Sequence, residues 1–411
     1  MRVLIPTIGS RGDVQPFIAL AQGLEQAGHA ARLMSHPGMR SLVEDHGVTF
    51  SPMGPEIDMA WEAAVIRQQP GHTLSALRKI MNLAFDTLGQ AHEEILAAGR
   101  DADLVVVPAS SAAGKNEAEL LGLPIVSVDF MPWTIPINDP RRSLFKRAAY
   151  AAINRIAETL TSRPLNKLRR QQGLPPVGPE GFRSTSLNLV PISPLIFAPD
   201  PCWAPIHHAV GYWFVEEPQG WRPPVDLLTF LDVGPAPLVV SLGAMSQGPT
   251  GPGSEMLEMA YLFVEAITAA GVRAIIQGWE AALKELALPP TIYPAGPLPH
   301  SWLLRRAAGL VHHGGFGTTA AGFQAGIPQL IIPHMVDQFY WGQRVGKLGA
   351  GPPAIGRSKL TSDKLASALH DLAHNAELSA TSSRLGEQIR AEPGPSGAIR
   401  LIDESSGGVG E

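Results

Sequence analysis

A chain of 411 residues is too long for one ordinary core and predicts two domains of roughly 100–200 residues each. With 32 Lys and Arg against 37 Asp and Glu, and a net charge of -5, it offers no polyanion-binding surface, which argues against nucleic acid as a partner. The single cysteine, Cys202, allows neither an internal disulfide nor a cysteine pair for structural zinc, and this fits a reducing, cytoplasmic compartment.

The start, Met1-Arg2-Val3-Leu4-Ile5-Pro6, is interrupted by Gly9, Arg11 and Asp13 too soon for a signal peptide. No apolar run approaches the roughly 20 residues of a membrane span, so a soluble protein is expected. Short β-branched runs then alternate with helical stretches: strand 3–8, helix 14–27, strand 31–34, helix 39–46, helix 74–98, strand 104–107, helix 113–121 and strand 125–128. Continuous apolar strands between helices indicate parallel strands covered on both faces. A helical region at 141–171 carries nine basic residues against one acid between 141 and 170. It reads as a solvated helix face, with a membrane-surface helix as the alternative.

Prolines 191, 194, 199, 201, 205, 218, 223 and 224 make the next stretch read as a linker with a few short strands, and the domain boundary is expected near 212–224. A second series follows: strand 238–241, helix 255–270, strands 274–276 and 292–293, helix 300–306, strand 310–312, helix 318–325, strand 329–332 and helix 338–348. The expected fold is α/β, two doubly wound Rossmann-like domains facing across a cleft. Their bounds are 1–215 and 225–378, joined by a linker at 216–224. Residues 379–411 should supply a C-terminal helix packing back toward the first domain, and a frayed tail from 405.

In open α/β sheets ligands collect at the carboxyl ends of the strands. The loop Gly9-Ser10-Arg11-Gly12-Asp13 lacks the G-x-G-x-x-G spacing, and Arg32-Leu33-Met34-Ser35 brings no acid for a ribose, which weakens a dehydrogenase reading. The loop His312-His313-Gly314-Gly315-Phe316-Gly317-Thr318 leaves a strand and opens a helix. Its glycines let backbone approach a phosphate, and the helix N-terminus stabilises the charge. Alone, such a loop is equally a tight turn with satisfied histidines. A right-handed crossover, however, brings Asp337 and Gln338 to the adjacent strand end, where they suit sugar hydroxyls. Asp337 can also serve as a helix N-cap, worth roughly 1 kcal/mol.

Four motifs, Gly9-Ser10-Arg11-Gly12-Asp13-Val14-Gln15-Pro16-Phe17, Pro299-His300-Ser301-Trp302-Leu303, the run 312–319 and Asp337-Gln338-Phe339-Tyr340-Trp341, resemble the nucleotide-sugar glycosyltransferases of GT-B fold. The resemblance covers essentially the whole chain and lies with the sterol glucosyltransferase and antibiotic aglycone branch. It implies a donor diphosphate on His313, Gly315, Gly317 and Thr318, a hexose on Asp337 and Gln338, a nucleobase near Leu298 and His300, and Ser10 as a further donor contact. It also implies Asp13 as the general base, where many relatives carry histidine. A neutral hydroxyl needs such a base as it attacks the anomeric carbon, and attack from the side opposite the leaving group inverts that centre. The alternative role for Asp13 is an N-cap for a helix starting at 14.

One departure from the pattern is Leu242-Gly243-Ala244-Met245, where relatives often carry Gly-Ser. Ala244 cannot donate, so Ser241, Ser246 or backbone N–H groups compensate, or the donor is held more weakly. No D-x-D motif points to a metal, and no cofactor is expected beyond the nucleotide-sugar co-substrate. Met59, Trp61, Phe85, Met131 and Trp133, with Met53 and Phe130, would line an acceptor site for a lipophilic natural product or sterol-like alcohol, although each suits a core as well. The expected activity is inverting, metal-independent transfer of a hexose from a UDP- or TDP-sugar to a hydroxyl of that acceptor, by a monomer or homodimer. A nucleotide-sugar epimerase or hydrolase, and a non-catalytic homologue that binds nucleotide or a partner enzyme, are the rival readings.

Overall fold

The computed structural model describes residues 1–56, 87–109, 113–135, 137, 152, 163–178, 183–243, 255–334 and 336–407. In chain order the first elements are β1 (Arg2–Pro6), α1 (Arg11–Gln26), β2 (Ala30–Ser35), α2 (Arg40–Glu44), β3 (Thr49–Pro52), α3 (His92–Gly99), β4 (Leu104–Pro108), α4 (Lys115–Leu121), β5 (Ile125–Val128), α5 (Arg163–Gln171), β6 (Leu187–Val190) and β7 (His207–Ala209). Then come α6 (Val225–Asp232), β8 (Leu238–Ser241), α7 (Glu255–Ala269), β9 (Ala274–Gln277), α8 (Glu280–Lys284), β10 (Ile292–Ala295), α9 (His300–Leu303), β11 (Gly309–His312), α10 (Phe316–Ala325), β12 (Gln329–Ile331), α11 (Val336–Lys347), α12 (Ser362–His374), α13 (Ala376–Arg390) and α14 (Pro395–Gly407).

Two units result. Described residues up to Phe214, with those from Pro393 onward, form one, and Val215–Glu392 form the other. The first holds a seven-stranded sheet in the order β3-β2-β1-β4-β5-β6-β7, the second a five-stranded sheet in the order β10-β9-β8-β11-β12. Every pairing is parallel. Central strands read as continuous apolar runs because both faces are covered: Val3, Leu4 and Ile5 of β1 and Leu104–Val107 of β4 are all buried. In each unit strand order reverses beside the first strand, so the carboxyl ends of β1 and β4, and of β8 and β11, border the crevice where such sheets take ligands.

The structure revises several expectations. The proline-dense stretch does not begin as a linker: β6 and β7 are integral strands, and prolines 191, 194, 199, 201 and 205 fall outside both, so no ladder donor is lost. Buried Asn188 ties β6 to its neighbours, accepting from Ser127 Oγ at 2.5 Å and meeting His207 Nδ1 at 3.0 Å. The stretch 300–306 is a short helix followed by a 3-10 turn at Leu304–Arg306. Residues 405–407 are not frayed but close α14, where the Ser405 and Ser406 hydroxyls donate to the Ile402 carbonyl at 2.8 Å. Of the helices expected at 74–98 and 141–171, the parts before residue 87 and, save residue 152, before residue 163 lie outside the described residues.

α14 packs on α1. The contact is close: a β-carbon at Gly23 would lie 2.8 Å from Ile399 Cδ1, and Ala398 and Ile402 are fully buried. Among the described residues no helix is long and apolar enough to cross a membrane. In the second unit Phe263 of α7 meets Trp279 edge-on, with centroids 5.2 Å apart, inside the core that supports β8 and β9. At the start of β12, a β-carbon at Gly351 would run into the Gln329 carbonyl. Backbone cannot yield as a flexible side chain can, so Gly351→Ala is expected to destabilise the chain by roughly 1–3 kcal/mol, measured by chemical denaturation.

Candidate functional site

Register sets the second unit's site. His312, the last residue of β11, pairs with Ser241 of β8 on one side and Ile331 of β12 on the other. The loops leaving these three strands therefore start side by side.

His312 itself is fully buried. The Gly314 N–H donates to its Nδ1 at 3.1 Å, which places the ring proton on Nε2. That proton is donated to Gln329 Oε1 at 3.0 Å. Burial, with His313 next to it, drives the His312 pKa well below its ordinary value, so the ring is neutral. Within the run 312–318, His312 thus shapes the loop instead of facing a ligand.

His313 lies between two glycines. A β-carbon at Gly243 would lie 2.7 Å from its Cε1, and one at Gly315 would collide with its Nε2. Neither position accepts a side chain while the ring stays there. Burial pushes the His313 pKa down to about 4, opposed by a bond to the Ser241 backbone. Gly314 takes a φ of 91°, where a β-carbon would lie 2.7 Å from Ile331 Cγ2 and 3.1 Å from the Gln338 carbonyl. Gly315 then caps α10, whose intrahelical bonding includes Thr319 N–H to the Gly315 carbonyl at 2.9 Å. A helix leaves its first-turn N–H groups without an intrahelical acceptor, so the backbone at 316–318 is a donor array suited to an anion. A β-carbon at Gly317 would meet nothing within 4 Å, which leaves room beside that array. The helix begins at Phe316, two residues earlier than expected, so Thr318 lies inside its first turn.

Gln338 is 4% exposed, and its Oε1 accepts the His334 N–H at 2.7 Å. Asp337 stands in the first turn of α11, where burial raises its pKa against the backbone N–H groups of Asp337 and Gln338. The helix begins at Val336, so Asp337 lies inside it and is not its N-cap. Through Gly314 the structure brings Gln338 against the His313 loop. At the neighbouring strand end, Gln277 joins two further candidates: its Oε1 accepts from His300 Nε2 at 3.0 Å, and its Nε2 donates to the Leu298 carbonyl at 3.1 Å. Gln277 was not singled out from sequence, although a polar residue closing an apolar strand beside β8 is a usable signal. Trp302 packs edge-on against Trp221 at 5.3 Å and under Arg306 at 4.2 Å, so its role is packing.

In the first unit α1 begins at Arg11, three residues earlier than expected, with Ser10 as its N-cap. Asp13 is therefore not the cap. It is the third helical residue of a capping box, and its Oδ2 accepts from the Ser10 N–H at 2.7 Å and the Ser10 hydroxyl at 2.9 Å. Its side chain is exposed. Ser10 is thereby engaged with Asp13. Met131 is exposed, Trp133 is partly buried in a 3-10 turn at Pro132–Thr134, and Met53 is core at 0% exposure. Asp129 holds this turn by accepting from the Met131 N–H at 2.9 Å and from Arg183 Nε at 2.7 Å. Met59, Trp61, Phe85, Ala244 and Ser246 lie outside the described residues.

Two histidines held uncharged have a pH signature. An unfolded histidine titrates near pH 6.5, whereas folded His313 titrates at about 4 and burial holds folded His312 well below its ordinary value. As pH falls through that window the unfolded chain takes up protons that the folded chain does not, so stability should decline. Denaturation between pH 7 and 5 is expected to show this slope, and His313→Gln should flatten it.

Comparison with known proteins finds relatives over nearly the whole chain. The N-terminal domain of glycosyltransferase family 28 matches residues 3–136, and the erythromycin biosynthesis protein CIII-like C-terminal domain matches residues 269–404. The O-mycaminosyltylonolide 6-deoxyallosyltransferase of Streptomyces fradiae is 32% identical over 427 residues, covering 98% of this chain and 97% of that protein. A sterol 3-beta-glucosyltransferase of Aspergillus oryzae is 31% identical over 98% of this chain, which spans 30% of that longer relative. Among solved structures, the glycosyltransferase VinC in complex with DTDP superposes with a TM-score of 0.68 at 21% identity, covering 99% of each chain. By its two parallel sheets and these matches, the chain belongs to the nucleotide-sugar glycosyltransferases of GT-B fold, alongside antibiotic and sterol glycosyltransferases.

Proposed function

We propose that this glycosyltransferase moves a hexose from a UDP- or TDP-sugar to a hydroxyl of a lipophilic natural product or sterol-like alcohol, with inversion and without a metal ion. The observation that carries the proposal is the enclosure of the neutral His313 ring between Gly243 and Gly315 at the N-terminus of α10, against Gln338. The first-turn backbone N–H groups beside the ring form a preorganised donor set for a diphosphate, as its charge grows on leaving. Gly315, Gly317 and Thr318 contribute through that backbone, Asp337 and Gln338 meet the hexose hydroxyls, and the unit Leu298–Gln277–His300 flanks the base.

Asp13 takes the acceptor's hydroxyl proton while the oxygen forms its bond to the anomeric carbon. The bond from that carbon to the β-phosphate oxygen breaks on the opposite face, and the nucleoside diphosphate departs with the electron pair. Acceptor binding falls to the first domain, 1–215, and donor binding to 225–378. The names of relatives support the substrate classes: one acts on a mycaminosyl tylonolide, another on a sterol, and a solved neighbour holds DTDP.

Asp13→Asn is expected to bind UDP or TDP with wild-type affinity by calorimetry while losing transfer by about two orders of magnitude or more. Unchanged turnover would remove Asp13 from the mechanism. Transfer should also persist in excess EDTA, whereas loss of activity restored by magnesium would contradict the metal-free reading. Release of free hexose at the same rate with and without acceptor would mark a hydrolase.

A further inference from the structure

β1 and β2 run parallel with Pro6 opposite Met34, so the chain leaves both strands at the same level, Thr7 beside Ser35 and then His36 near Gly9. His36 is 1% exposed. Its Nε2 lies 3.3 Å from the Gly9 carbonyl oxygen. A carbonyl only accepts, so Nε2 carries the proton and Nδ1 is left with a bare lone pair, buried and without a partner among the described residues. Burial lowers the ring's pKa, opposed by the Gly9 bond and by Glu56, which fixes a neutral ring in a single tautomer.

The nitrogen of the same peptide group makes the other contact. Ser10 N–H, which shares its amide with the Gly9 carbonyl, donates to Asp13 Oδ2 at 2.7 Å. One peptide plane therefore accepts at its oxygen from His36 and donates at its nitrogen to Asp13. Bonds at the two ends of an amide polarise it in the same sense and strengthen one another. The joint is a glycine at φ 147°, a conformation L side chains rarely adopt, and a β-carbon there would lie 2.6 Å from Asp13 Cγ. Glycine gives this peptide freedom to rotate, and the His36 bond restrains it.

A buried imidazole with an unsatisfied nitrogen is a stability cost that an apolar residue of similar size would relieve. We propose that His36 is a positioning residue for sugar transfer: through the Gly9–Ser10 peptide it orients the Asp13 carboxylate that receives the acceptor's proton. The inference rests on the reading of Asp13 as general base.

The test compares His36→Leu, His36→Gln and Asp13→Asn in the full chain, with UDP-glucose or TDP-glucose as donor and O-mycaminosyltylonolide or ergosterol as acceptor. His36→Leu is expected to lower kcat roughly tenfold, the scale of a slightly misplaced catalytic group, with both KM values within about twofold of wild type and no fall in Tm. His36→Gln, whose amide N–H reaches the position of Nε2, should restore most of kcat. Should His36→Leu not fold, His36→Asn, whose amide reaches only the position of Nδ1, takes its place in the comparison. Wild-type kcat in His36→Leu beside an inactive Asp13→Asn would overturn the inference and leave the base in place. Equal losses in the Leu and Gln variants, with a lowered Tm, would reduce His36 to packing. Full turnover by Asp13→Asn would remove the base, and the inference with it.

Discussion

A neutral imidazole has one proton and one lone pair, and at His312 the fold uses both. The lone pair takes the Gly314 N–H, and the proton goes to Gln329 on the adjacent strand. This bond to Gly314 draws the chain into a left-handed turn within two residues of the strand end, and the turn delivers His313 and the start of α10 to the sheet's carboxyl edge. The arrangement is affordable because a neutral ring is inexpensive to bury, whereas an imidazolium at 0% exposure would demand a counter-charge. Gly243, Gly314 and Gly315 all keep side chains out of this small volume. The donor array at α10 is therefore a product of the sheet beneath it more than of the loop's own preferences.

The first unit solves a related problem differently. Its carboxyl-edge loop also passes through glycine, but the helix that follows opens with a capping box, and the acid of that box is Asp13. A capping carboxylate is held by bonds to backbone and hydroxyl, which fix its orientation while its exposure keeps it accessible. The capping geometry is thus compatible with the proposed role of Asp13 as base.

Much of this was legible in the sequence, for identifiable reasons. β-branched runs such as Leu104–Val107 show themselves because a parallel strand buried on both faces must be apolar throughout. The loop at 312–318 shows itself because a glycine cluster between a strand and a helix marks a tight backbone turn at the sheet's carboxyl edge. What was hidden depends on partners distant in sequence. His312 and Gln329 are 17 residues apart, and nothing in either marks it as structural. Gln277 gains its meaning only when β9 is placed beside β8 and its amide meets both Leu298 and His300. Asp13 against Ser10 as the cap is a question of three residues, where helix starts read from pattern are least certain. β6 and β7 were obscured because prolines crowd the segments between strands, and composition averages over both.

The return of α14 to α1 gives this chain an unusual order of assembly. Domains commonly complete in the order in which the ribosome releases them. Here the unit that begins at the N-terminus cannot close until Ala398, Ile399 and Ile402 have emerged, after every residue of the other unit. In the interval between the synthesis of α1 and that of α14 the face of α1 around Gly23 lacks its partner, while the strands of the second sheet are made.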